Sequence, residues 1–175
     1  MRHALREDPV GVSGTILVIG IGNEFRSDDG LGILTAREIR RRALPGVKVT
    51  EESGEGTALL ESWQGYPYVV LIDAVCSGAS AGEVHRIDCV ATSVPRTLFR
   101  GSSHAFGVAD AIALGRNLGN LPAVMILYGI EGGRFEAGTG LSDQVVRSMP
   151  QLLGLIEADI AHTGHLTVSA GEEYT

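Results

Sequence analysis

The chain has 175 residues, 44% of them hydrophobic, and a formal charge of −7. That length supports one substantial core, and the acidic balance excludes the concentrated positive surface that nucleic-acid phosphates demand. Two cysteines, Cys76 and Cys89, have neither zinc-site spacing nor the numbers for a disulfide framework, which points to a reducing, cytoplasmic setting.

Residues 1–14 are polar and read as a loosely ordered tail with no secretory signal pattern. Thr15–Ile19 is a short apolar run that predicts a buried strand, and Gly20-Ile21-Gly22-Asn23 lets the chain leave the sheet at once. Asp28-Asp29-Gly30 then puts two acids at the opening of a helical pattern, whose positive end suits carboxylates. Ile33, Ala36, Ile39 and Ala43 form an apolar stripe over residues 30–43, stopped by Pro45-Gly46. Arg37, Arg40, Arg41 and Arg42 on that helix read as a solvated face near its negative end. A strand at 47–51, a short helix at 57–64 and the apolar strand 68–72, ending at Asp73, continue an alternation typical of parallel sheets with crossover helices.

The segment 74–82 is too short to carry another crossover helix, so a strand at 83–88 is expected to run antiparallel. A helix at 106–118 and a strand at 123–128 follow. Val145, Met149, Leu152, Leu153, Ile156 and Ile160 share one stripe of a last helix that Pro150 is expected to kink or restart. The tail 165–175 reads as loosely ordered. These elements predict a single α/β domain over 15–164, a three-layer α/β/α sandwich around a mixed, mostly parallel five-stranded sheet with the first strand between the second and third. No apolar run is long enough to cross a bilayer, so no membrane partner is expected.

In such a sheet the loops after the first and third strands diverge and leave a crevice, and Asp29 and Asp73 both fall there. An acid closing an apolar strand is costly unless it is paired, solvated in a cleft or bound to a metal. Asp73 can also cap the loop 74–77, and Asp28 reads as a helix N-cap. His104 lies in the polar loop Gly101-Ser102-Ser103-His104-Ala105-Phe106-Gly107, off any apolar stripe. Two carboxylates and an imidazole suit a borderline divalent ion and leave coordination positions open. A dinucleotide fingerprint fits badly, because Phe25 stands where the third glycine belongs and Glu24, Asp28 and Asp29 would repel a pyrophosphate. Cys76, three residues beyond Asp73, offers a rival thiolate nucleophile. Arg134 and Glu136, after the fifth strand, suit either a partner contact or ordinary surface.

Gly20-Ile21-Gly22-Asn23 with Asp28-Asp29-Gly30-Leu31-Gly32, then Ile72-Asp73-Ala74, then Ser103-His104-Ala105-Phe106-Gly107, resemble in order the motifs of the hydrogenase maturation protease family. The resemblance spans roughly residues 15–160. It implies a phosphorylase/hydrolase-like fold and an endopeptidase that trims the C-terminus of a nickel-iron hydrogenase large-subunit precursor. Asp29, Asp73 and His104 would be the catalytic and metal-contacting residues, toward a divalent metal, nickel, supplied by that precursor. Many relatives carry Glu where this chain has Asp29, and an Asp-Gly-Gly-Thr type sequence where it has Glu51–Gly56. A non-cleaving metal-binding checkpoint or chaperone for the same assembly is the alternative reading.

Overall fold

Ile16–Ile21, Tyr68–Val75 and Val124–Glu131 are apolar on both of their side-chain rows, so each needs cover on two faces, and they become the three inner strands β1, β3 and β5. The half-buried runs Val47–Glu52 (β2) and Val84–Asp88 (β4) take the edges, giving the order β2-β1-β3-β5-β4. All neighbours are parallel except β4 and β5, which are antiparallel. The computed structural model describes residues 15–99 and 106–169, with side chains to residue 162.

Helices α1 (Leu31–Arg42) and α4 (Asp143–Ser169) supply Leu31, Ile39, Val145, Leu152, Leu153, Ile156 and Ile160 to one core, over the sheet face that carries Val18, Val70, Ile72 and Tyr128. Helices α2 (Gly56–Ser62) and α3 (Val108–Asn117) cover the other face, where Leu59, Trp63, Val108, Ala111 and Ile112 meet Leu17, Ile19, Leu71 and Leu127. The expected three-layer sandwich, with β1 between β2 and β3, is the observed one.

Four local expectations differ. Strand β3 does not stop at Asp73. It continues to Val75, paired with β5 through Val75 and Glu131, so Asp73 is an interior strand residue. β5 correspondingly outruns its expected end at residue 128. Pro150 sits inside an unbroken α4: Pro150 and Val146 are both exposed, so the carbonyl that loses its helical partner faces water. That helix also runs to Ser169, past the expected domain limit at 164, whereas the expected tail 1–14 lies outside the described residues. The basic run of α1 is solvent-facing as expected, with each arginine on a carboxylate: Arg37 on Glu24 and Glu51, Arg40 on Glu51, Arg41 on Glu38, and Arg42 on Glu38 and Glu157.

Candidate active site

The carboxyl edge of β1 and β3 is shaped by glycines that let backbone meet backbone. A Cβ at Gly32 would lie 2.2 Å from the Ile21 carbonyl oxygen and 2.3 Å from that of Ile72, so only glycine allows the first turn of α1 to rest directly across both strands. Gly22 has a φ of +134°, and a Cβ there would stand 1.8 Å from the Asp29 carbonyl oxygen. These contacts draw the segment before α1 back over the strand ends and carry Asp29 toward Asp73.

Between them the chain makes a 3-10 turn, Ser27–Gly30, entered through Ser27 with a φ of +54°, a conformation that L-residues adopt only when held. Here it is held: the Ser27 N–H donates to the Gly138 carbonyl at 2.9 Å and its hydroxyl to the Glu136 carbonyl at 3.0 Å. Asp28, expected as a helix cap, caps nothing. Its carboxylate is wholly buried and accepts from the N–H groups of Gly133 (2.9 Å), Arg134 (2.9 Å) and Ser142 (2.6 Å) and from the Ser142 hydroxyl (2.8 Å). A helix cap needs two local amides, whereas this carboxylate ties down the whole β5–α4 loop more than a hundred residues away.

Asp29 faces the opposite way, into a cleft of about 200 Å³. Ile21, Gly22, Asn23, Arg26 and Asp29 form its β1 side, Ser53 and Gly54 its β2 side, and Asp73, Ala74 and Cys76 its β3 side, with Phe99, Val108 and Phe135 completing the rim. Asp73 is 6% exposed, and burial, then the Asp29 charge, push its carboxyl well above the ordinary carboxylate range. The Ala74 N–H bond opposes this without cancelling it. The structure therefore brings together two of the expected site residues, Asp29 and Asp73. His104 lies outside the described residues, although Phe99 before it and Val108 after it both border the cleft. Among the described residues no group of three His, Cys, Asp or Glu side chains is placed to hold a metal.

Cys76 is on the cleft wall and reduced, its N–H bonded to the Leu98 carbonyl at 2.8 Å; Cys89 is buried in the core, where desolvation pushes its thiol up to about 12. Arg134 and Glu136 are used locally. Arg134 donates to the Gly140 carbonyl at 3.2 Å, and its Nε lies 3.8 Å from Glu136. Two features escape a reading of the sequence. Phe135 and Arg26 reach the cleft from loops with no periodic signal. Glu131 also ends an apolar strand, the pattern that singled out Asp73, yet it serves as an anchor: 2% exposed, it accepts from the Ser77 N–H (2.8 Å) and hydroxyl (2.9 Å) and the Gly78 N–H (2.9 Å).

A mostly parallel α/β sheet with one buried and one half-buried carboxylate converging at its carboxyl edge has the arrangement in which α/β enzymes commonly place their acid groups. The family model described as "Hydrogenase maturation protease" matches residues 34–159. The chain is 30% identical over 163 residues to the hydrogenase expression/formation protein HupM of Azotobacter chroococcum mcd 1, covering 89% of this chain and 76% of that protein. It is 27% identical to the hydrogenase 2 maturation protease of Escherichia coli K12, over 85% of this chain and 92% of the relative. Among solved structures, the E. coli hydrogenase maturating endopeptidase HybD superposes with a TM-score of 0.74 at 22% identity, over 86% of this chain and 94% of HybD. A [NiFe] hydrogenase maturation protease HybD from Thermococcus kodakarensis gives 0.61 at 25% identity, over 82% and 97%. The chain belongs to the hydrogenase maturation protease family and is a peptidase.

Proposed function

We propose that this chain removes a C-terminal extension from the nickel-loaded precursor of a nickel-iron hydrogenase large subunit, with Asp29, Asp73 and His104 contacting the nickel that the precursor carries. The observation that carries this reading is the placement of Asp73, a buried carboxyl beside a second one at the mouth of a cleft. Two carboxyls this close, one of them buried, call for a positive charge between them, and a divalent ion supplies it by displacing the proton that Asp73 otherwise holds, so the acid pair discriminates a metal-filled precursor from an empty one. The nickel is substrate, and the chain's own part is to hold and orient it against the segment to be cut. With that ion held through one oxygen of each acid, the second carboxylate oxygen of Asp29 or Asp73 is left to take the proton of the attacking water as general base. Reduced Cys76 and Cys89, and the lack of any described helix long and apolar enough to span a membrane, support a cytoplasmic site of action.

The test is the mass of the precursor before and after incubation, with and without nickel. Loss of the extension only from nickel-loaded precursor is expected, together with a fall of at least a hundredfold in kcat/KM for Asp29→Asn, Asp73→Asn and His104→Ala, the scale of a lost acid–base group. Cutting of nickel-free precursor at the same rate would overturn the metal checkpoint. Cys76 shares the cleft and supplies the rival nucleophile, so inactivity of Cys76→Ser with full activity of Asp73→Asn would move the chemistry to sulfur.

A further inference from the structure

Arg26 lines the cleft, and among the described residues its guanidinium has no acceptor. Arg37, Arg40, Arg41, Arg42, Arg86, Arg96 and Arg134 all rest on carboxylates. Arg26 lines the cleft alongside Asp29 and Asp73, and among the described residues its side chain makes no hydrogen bond or ion pair with them or with any other group. Its backbone, by contrast, is pinned on every side. The Arg26 N–H donates to the Asn23 carbonyl at 3.1 Å, its own carbonyl accepts from the Asp29 N–H at 3.2 Å, and it forms a bridge with Gly138. The strained Ser27 that follows is held by Gly138 and Glu136. A half-buried cation on so constrained a turn, with no side-chain acceptor among the described residues, is arranged for a group that those residues do not supply.

The cleft consequently has two poles, the acid pair and Arg26. A planar guanidinium fork pairs bidentately with a carboxylate, and a carboxylate is driven from the acid pole by the same charges that attract a cation. We propose that Arg26 binds a carboxylate on the precursor segment entering the cleft, and so fixes the direction in which that segment runs past Asp29 and Asp73. This rests on the peptidase reading above. A C-terminal extension ends in an α-carboxylate by covalent necessity, and an acidic side chain near the cut offers the same group. Phe25, 66% exposed beside Arg26, gives the incoming segment an apolar lip.

The experiment compares Arg26→Ala and Arg26→Lys with the unaltered protein on nickel-loaded precursor, on precursors with each acidic residue near the cut changed to its amide, and on precursor with an amidated C-terminus. Arg26→Ala is expected to raise KM roughly tenfold to a hundredfold with kcat nearly unchanged, the loss of a charge-assisted bond, and Arg26→Lys to recover part of it. One neutralised precursor should show the same loss with the unaltered protein and no further loss with Arg26→Ala. Whether that probe is a side-chain amide or the terminal amide identifies the source. An unchanged KM, a fall in kcat alone, or losses that add to that of Arg26→Ala for every probe would overturn the proposal. Direct binding of the same probes to the unaltered protein and to Arg26→Ala separates the two readings, because it reports on Arg26 even if no precursor is cut.

Discussion

Asp73 stands where an ionised carboxyl is least welcome, in the interior of an inner strand and next to another acid. Because its folded-state affinity for protons is raised, the metal-free native chain holds a proton that the unfolded chain releases once pH passes the ordinary carboxylate value of 3.8. Stability must therefore fall as pH rises from that value through the raised one, and the deficit is complete above it. Asp73→Asn removes the penalty. Thermal melts of the metal-free protein should show the variant melting higher at neutral pH, with a flatter pH dependence, while the two proteins converge in acid; a lower melting point at neutral pH would show that the charge is already compensated. Asp28 predicts the reverse. Its four donors are all met by one buried carboxylate, so Asp28→Ala strands them and should cost about 3 kcal/mol, read as a lower midpoint in denaturant unfolding. The sequence distinguishes neither role from the other at Asp28, nor Glu131 from Asp73. Each is an acid at a strand end or helix start, and only the partners that distant loops bring decide between anchor and site.

At the scale of elements, apolar rows made the fold readable, because β1, β3 and β5 need two covered faces and the helices carry one stripe each. Strand ends were less readable. Nothing local shows that β3 continues past an acid, since Val75 is kept in the sheet by pairing with Glu131 far along the chain. The site emerged from the sequence as loops at one sheet edge, but how closely they approach depends on the junction of α1 with β1 and β3, which residue types alone only hint at. Two substitutions on α1 separate that junction from the rest of the helix. Gly32→Ala drives a methyl into two carbonyl oxygens, so α1 must lift, and a loss of about 2 kcal/mol or more with a sharp fall in activity is expected. Ala43 closes the same helix with a φ of +49°, exposed and far from the cleft. Ala43→Gly relieves that conformation and should raise stability by roughly 0.5–1 kcal/mol in denaturant melts with activity unaltered. An active, fully stable Gly32→Ala would mean that the helix is not seated on the strand ends.

Across the whole molecule, two separate apolar cores lie on opposite faces of one sheet, which raises the question of whether they melt as one unit. The strands answer it. Alternate residues of β1, β3 and β5 enter opposite cores, so Val18 and Ile19, Val70 and Leu71, or Ile126 and Leu127 cannot keep one core ordered while the other dissolves. The buried polar ties run along the same edge: Asp28 joins the β1 loop to the β5–α4 loop, and Glu131 joins the end of β5 to the corner after β3. Trp63, the single tryptophan, is 1% exposed in the core beneath α2 and α3, whereas the longest helix, α4, covers the other face. Tryptophan fluorescence thus watches one core and far-ultraviolet circular dichroism is weighted toward the other. Their denaturant transitions should coincide in midpoint and slope, the signature of a single cooperative unit. An early fluorescence change with the helical signal intact would assign the α2–α3 layer, and with it the Val108 side of the cleft, a lower local stability than the acid pair it borders.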